Sequence, residues 1–111
     1  MIETVVLNYL LDEGFSAYME RPSKPPKEYV LLEKTGSRRS NLIVTSTFAI
    51  QSYAASLADA AKLNEQVKTA MNEADTLTGV SASVCVSDYN YTNTTAKQYR
   101  YQAVYEITHK E

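Results

Sequence analysis

Arg38 and Arg39 are the only adjacent Lys/Arg pair in the chain. Two neighbouring guanidiniums offer paired N–H donors that grip a phosphate or a partner's carboxylates, or else they stand as a solvated loop tip. The other reactive side chains lack companions. Cys85 is the single cysteine and His109 the single histidine, too few ligands for a metal site. Cys85 alternates with valines and reads as a small apolar filler, not a nucleophile. His109 has no nucleophile motif to complete a triad. Glycines at 14, 36 and 79 build neither a Walker loop nor a dinucleotide loop. Carboxylates are scattered, with nothing to pair them in a pocket. The expectation is a protein without catalysis, cofactor or metal.

Composition narrows the class. The 111 residues suit one domain spanning 1–111, with a single core and no need of disulfides. A net charge of −2 gives no basic field for nucleic acid. Met1-Ile2-Glu3-Thr4 lacks the basic start and apolar run of a secretory signal, and no stretch reaches the ~18 to 20 apolar residues of a membrane span. A protein made and used inside a cell is expected. Nine tyrosines against two phenylalanines and no tryptophan suit half-buried sheet faces or interfaces.

The elements that position these residues follow from periodicity. Ile2, Val5, Val6, Tyr9 and Leu10 share a helical face, and Gly14 can close that helix in a left-handed cap. Residues 15–20 alternate as a short strand. Pro22, Pro25 and Pro26 then make residues 21–27 an extended connector. Residues 29–34 form a second strand, and 35–41 read as a hairpin loop carrying Ser37, Arg38 and Arg39. Residues 42–54 form a third strand with Leu42, Val44, Ser46, Phe48 and Ile50 facing the core. Ser56 caps a helix over 56–74, with Leu57, Ala60, Leu63, Val67, Ala70, Met71 and Ala74 in one arc and Gly79 as the stop. A fourth strand over 80–87 places Val80, Ala82, Val84 and Val86 inward. Residues 88–97 are a polar loop, and the fifth strand over 98–109 sets Tyr99, Tyr101, Ala103, Tyr105 and Ile107 on one face. The order is α-β-β-β-α-β-β, an α+β fold with a mixed or antiparallel sheet and helices packed on it.

One length does not fit a compact shape. Residues 42–54 extend ~43 Å at ~3.3 Å per residue. A domain of this size has a radius of gyration of ~13 Å, a diameter of roughly 35 Å. The strands must bend or project, and projecting ends with Tyr53, Tyr99 and Tyr101 offer edges to another subunit. Identical subunits joined head to tail close into a ring if the rotation permits.

Several phrases, in order, resemble a known family: Tyr29-Val30-Leu31-Leu32-Glu33-Lys34-Thr35-Gly36, Thr47-Phe48-Ala49-Ile50-Gln51-Ser52-Tyr53-Ala54, Ser87-Asp88-Tyr89-Asn90-Tyr91-Thr92 and Tyr99-Arg100-Tyr101-Gln102-Ala103-Val104-Tyr105-Glu106-Ile107. Over nearly the whole chain this is similar to the tail-terminator, or tail-completion, proteins of long-tailed phages and prophages, of the lambda type. The resemblance implies an α+β subunit forming a ring, usually of six. Such a ring caps the tail tube, ends its polymerisation and presents a surface to the head connector. Its partners are its own copies, the tube protein and the head connector, and its place is the virion tail, assembled in the host bacterial cytoplasm. The family brings no catalytic residues. Residues 35–41 match its tube- or lumen-facing loop. Two other readings stand beside it: another head–tail adaptor or the tube protein itself, and a small dimeric ligand-binding or regulatory α+β domain joined through its tyrosine-rich sheet.

Overall fold

The chain runs α1 (Ile2–Asp12), β1 (Ala17–Tyr18), β2 (Tyr29–Ser40), β3 (Ile43–Ala54), α2 (Leu57–Met71), a 3-10 turn (Ala74–Thr76), β4 (Val80–Asn90) and β5 (Tyr99–Lys110). In this computed structural model, which describes residues 1–110, the strands form one sheet in the order β1-β2-β3-β5-β4. Only β1 and β2 are parallel, so the sheet is mixed and the fold is α+β. β3 and β5 pair without interruption from Ile43↔Lys110 to Ala54↔Tyr99.

Alternation along these strands builds one core. Phe48, Ile50, Ala103, Tyr105 and Ile107 are fully buried and meet Val6 and Leu10 of α1 and Leu63, Val67 and Met71 of α2. Both helices therefore cover the same face of the sheet. Ser56 caps α2 as its sequence position predicts, its Oγ accepting the Asp59 N–H at 3.1 Å. Gly14, at φ +97°, closes α1: its N–H and that of Phe15 donate back to Leu11 and Leu10.

Several boundaries differ from expectation. The strand over 15–20 shrinks to Ala17–Tyr18, which holds β2 only at Ala17↔Val30 and Tyr18↔Leu31. The loop over 35–41 is instead strand: β2 continues to Ser40, and the turn is the two residues Asn41 and Leu42, with Asn41 at φ +58°. A bulge between Lys34 and Gly36 lets β2 continue past its apolar half. Leu42 is thus 73% exposed at the turn and outside the core. α2 ends at Met71, and Gly79, at φ +84°, serves β4 by turning the chain into it.

The fourth strand is the largest departure. It runs to Asn90, past the expected start of the polar loop. Register shifts after Val80 and after Cys85 change its phase, so Ser83 sits level with buried Ile107 and Cys85 with buried Tyr105. Ala82 and Val84 turn to the uncovered face, and Val84 and Val86 are half exposed. Cys85 lies on the helix side between Ser83 and Asp88, both of which bond to α2, yet it is exposed and not a core filler.

The sheet is longer than the helices that cover it. The molecule measures 44 × 24 × 24 Å, with a radius of gyration of 13.8 Å. Residues 33–40 are all exposed, so the β2–β3 hairpin stands beyond the core.

Substitutions should follow this division. Phe48→Ala is expected to cost ~3–5 kcal/mol by leaving a cavity, whereas Leu42→Ala should change stability by less than ~0.5 kcal/mol. Ser52 is fully buried and its Oγ has no partner among the described residues. Ser52→Ala should therefore be neutral or stabilising by up to ~1 kcal/mol. Urea unfolding midpoints of the three variants check the ranking.

Candidate functional site

The residues expected to make assembly contacts fall into two groups at opposite ends of the sheet. Ser37, Arg38 and Arg39 pair with Ser46, Thr45 and Val44 near the hairpin turn. Tyr53 pairs with Arg100, and Ala54 with Tyr99, at the other end. Thr45 and Tyr53 are eight residues apart along β3, roughly 26 Å at ~3.3 Å per residue. No single contact patch holds both groups.

At the hairpin end the arginine pair is divided by strand alternation. Arg38 points to the uncovered face, where its Nη1 donates to Glu106 Oε2 at 2.8 Å. Ser37 and Arg39 point to the helix side and line a depression of about 430 Å³ with Lys34, Ser46 and His109. Arg38 and Arg39 are therefore not one forked grip. The pairing of Arg38 with Glu106 is exposed and worth ~0–1 kcal/mol.

His109 gains the hydroxyl partner that its sequence surroundings did not suggest. Ser46 Oγ and His109 Nε2 are 2.9 Å apart, and Nδ1 lies 2.9 Å from the Lys110 carbonyl oxygen. A carbonyl only accepts, so in the neutral ring Nδ1 carries the proton and Nε2 accepts from Ser46. Ser46 is 1% exposed in the middle of a regular strand. The pair satisfies a buried hydroxyl without presenting it to a substrate. Among the described residues no cluster of three or more His, Cys, Asp or Glu could hold a metal. None of their helices is long and apolar enough to cross a membrane.

At the other end lies a row that the strand register assembles. Tyr29 and Tyr53 stack with centroids 4.6 Å apart, and Tyr18 meets Tyr29 edge-on. Arg100 lies 5.6 Å from the Tyr53 centroid and 4.4 Å from that of Tyr91, which meets Tyr89 edge-on. Hydrogen bonds lock the row. Arg100 Nη1 donates to Tyr53 OH at 2.9 Å, Tyr53 OH to Gln51 Oε1 at 2.8 Å, and Gln51 Nε2 to Gln102 Oε1 at 2.8 Å. Gln102 Nε2 then donates to Tyr89 OH. Arg100 Nε also donates to the Tyr91 carbonyl at 2.7 Å. Tyr53 is only 7% exposed, so it serves mainly as the centre of this row. Tyr99 and Tyr101 are half-buried on the helix side.

A second polar cluster joins α2 to β4. Asp88 accepts from Asn64 Nδ2 and Lys68 Nζ, both at 2.6 Å, and Lys68 also meets Glu65 at 3.1 Å. The Lys68 bond, then that of Asn64, holds the Asp88 carboxyl below its ordinary range, against desolvation. Burial raises the Tyr105 hydroxyl, which donates to Asn72 Oδ1 at 2.7 Å. Asn64, 1% exposed, was legible as a core position: it stands four residues after Ala60 and three before Val67. Its partner on β4 was not, because the register of that strand depends on its bulges.

With this geometry described, comparison with known proteins adds no family: no family model matches the chain, and no curated protein matches it.

The Asp88 site makes stability depend on pH. A lowered carboxyl pKa means that the folded state binds the proton less tightly than the unfolded chain. The contribution is complete above ~4, the unfolded aspartate value, and is lost as pH falls through the folded value. Asp88→Asn should be less stable than the parent at pH 7, with the gap closing below about pH 4. Urea midpoints at several pH values check this. Arg100→Lys should cost ~1–2 kcal/mol, because an ammonium cannot stack flat and donate to both Tyr53 and Tyr91. The same urea assay at pH 7 measures that loss.

Proposed function

We propose that this chain is a structural protein of a phage or prophage tail, a terminator whose copies form a ring. In this reading the ring caps the tail tube, ends its polymerisation and joins it to the head. The resemblance of its strand and helix phrases to that family motivates the reading. The structural observation that carries it is the excess of sheet over helix: a 44 Å molecule whose hairpin, residues 33–40, buries no side chain. A ring subunit needs surface of this kind, ordered before its partners arrive and left unburied by its own core.

The role is binding by shape, not catalysis. Ser46 and His109 satisfy one another in a depression, with the hydroxyl enclosed. Partners in this reading are further copies, the tube protein and the head connector, with no cofactor. The protein acts in the virion tail after assembly in the bacterial cytoplasm. Ser37, Arg38 and Arg39 at the hairpin end are the proposed contact to the tube or lumen. Tyr53, Tyr99 and Tyr101 mark the opposite end. The tyrosine–arginine row on the uncovered face favours the main alternative, a small domain dimerising through that face.

Light scattering over a concentration series separates the two. A ring former gives hexamers, at the latest when concentrated, and a species that stops at monomer or dimer throughout overturns the ring. Arg38→Ala with Arg39→Ala in a producing phage should give tails of abnormal length or tails that fail to join heads. Normal tails would remove the hairpin from the contact.

A further inference from the structure

Both outer edges of the sheet are open over most of their length. β1 covers β2 only at Val30 and Leu31, leaving residues 33–40 with no strand outside them. β4 pairs with β5 on its inner side and, among the described residues, has no strand on its outer side. An open edge is a row of backbone donors and acceptors ready to bond another strand, and natural edges are usually guarded by lysine, proline or a covering element. Here the β4 edge carries neither lysine nor arginine nor proline over Val80–Asn90. Its one charge, Asp88, is turned inward to Lys68 and Asn64. Val84 and Val86 are 54% and 50% exposed.

We propose that copies of this chain join edge to edge, the open edge of β2 in one copy pairing antiparallel with the open edge of β4 in the next. The proposal rests on the self-assembly in the preceding section and names the surface that performs it. Strand direction supports it. β2, β3, β5 and β4 alternate in direction across the sheet, so a second copy laid beside the first in the same orientation brings β2 antiparallel to β4. Charge disfavours the pairing of like edges. Residues 33–40 hold Glu33, Lys34, Arg38 and Arg39, a sum of +2, whereas the one charge of β4, Asp88, is already held by Lys68. Pairing β2 with β2 would set the Arg38–Arg39 segment against itself or against Lys34. Each copy then has one edge of each kind, the head-to-tail arrangement that closes rings. The bulges at Thr35 on β2 and at Ser81 and Val86 on β4 bound the uninterrupted segments, 36–40 on β2 and 82–85 on β4.

Cys85 tests this directly, since it is the only cysteine and lies exposed on β4. Its side chain is on the helix side of the sheet, as are those of Lys34, Ser37 and Arg39, while Arg38 and Ser40 face the other way. In the full-length protein under mild oxidant, Lys34→Cys, Ser37→Cys or Arg39→Cys should form intermolecular disulfides with Cys85, according to register. Arg38→Cys and Ser40→Cys should not, and the parent protein should form none. Disulfides regardless of facing, or none at any position, overturn the pairing. So does a parent protein that links Cys85 to Cys85, which indicates a twofold β4–β4 contact. Val84→Lys, an exposed edge guard, should abolish assembly and leave the monomer's circular dichroism unchanged; assembly at the parent's level would overturn the proposal. Rings seen by light scattering without facing-dependent disulfides would refute edge pairing and leave the ring standing, whereas strict monomers would remove both.

Discussion

The β3–β5 ladder is the constraint on which the rest of this fold depends. Both strands are 12 residues long and stay in register throughout. That register sets Phe48 beside Tyr105 and Ile50 beside Ala103 on the covered face, where α2 packs. On the opposite face it sets Gln51 beside Gln102 and Tyr53 beside Arg100. A slip of one residue would exchange the two sets, exposing the core and burying the glutamines. The outer strands, by contrast, each carry a bulge or two and adapt to the central pair.

Covering one face only leaves a sheet surface that must be satisfied without a second layer. The side-chain chain from Arg100 through Tyr53, Gln51 and Gln102 to Tyr89 does this at one end. It also fixes both glutamine amides in one orientation, since each must accept on oxygen and donate on nitrogen. At the hairpin end the side-chain pairs on this face are Arg38 with Glu106 and Thr45 with Thr108. Magnitudes separate the ends. A buried Phe or Ile contributes ~1.5–3 kcal/mol, and an exposed ion pair ~0–1 kcal/mol. Stability therefore resides beneath α2, and the hairpin adds little to it.

Where apolar residues alternated or recurred at helical spacing, the fold was readable. β3, the Ser56 cap, the buried arc of α2 from Ala60 to Met71 and the inward face of β5 all followed from burial, which periodicity reports directly. The polar half of β2 was read as loop because Thr35–Ser40 holds no apolar residue, and cross-strand hydrogen bonds leave no trace in composition. The valines of β4 misled for the opposite reason: alternation was present, but a bulge after Val80 reversed its phase. The tyrosine–arginine row was hidden for a third reason. Its members draw on all five strands, and Arg100 meets Tyr53 only through a register that no local pattern encodes.

The hairpin poses the remaining physical question. Ordering a residue's backbone costs ~1–2 kcal/mol, and residues 33–40 offset this with ladder hydrogen bonds but with no buried side chain. Toward Ile43 and Lys110 the cover of β3 and β5 thins to the first turn of α1, across the depression that Ser37, Arg39 and His109 also line. A sheet segment so thinly covered and open along its outer edge is held in shape mainly by the ladder, with Lys34 paired to Glu3 on one face and Arg38 to Glu106 on the other. Covering it from outside adds hydrophobic and hydrogen-bond energy at low further cost, because the strand is already extended and in place. Preorganisation of this kind favours partners that extend the sheet over partners that reshape it. The exposed edge of β4, its one charge turned inward to α2, and the exposed, basic edge of β2 are the two surfaces of this chain that meet that requirement together.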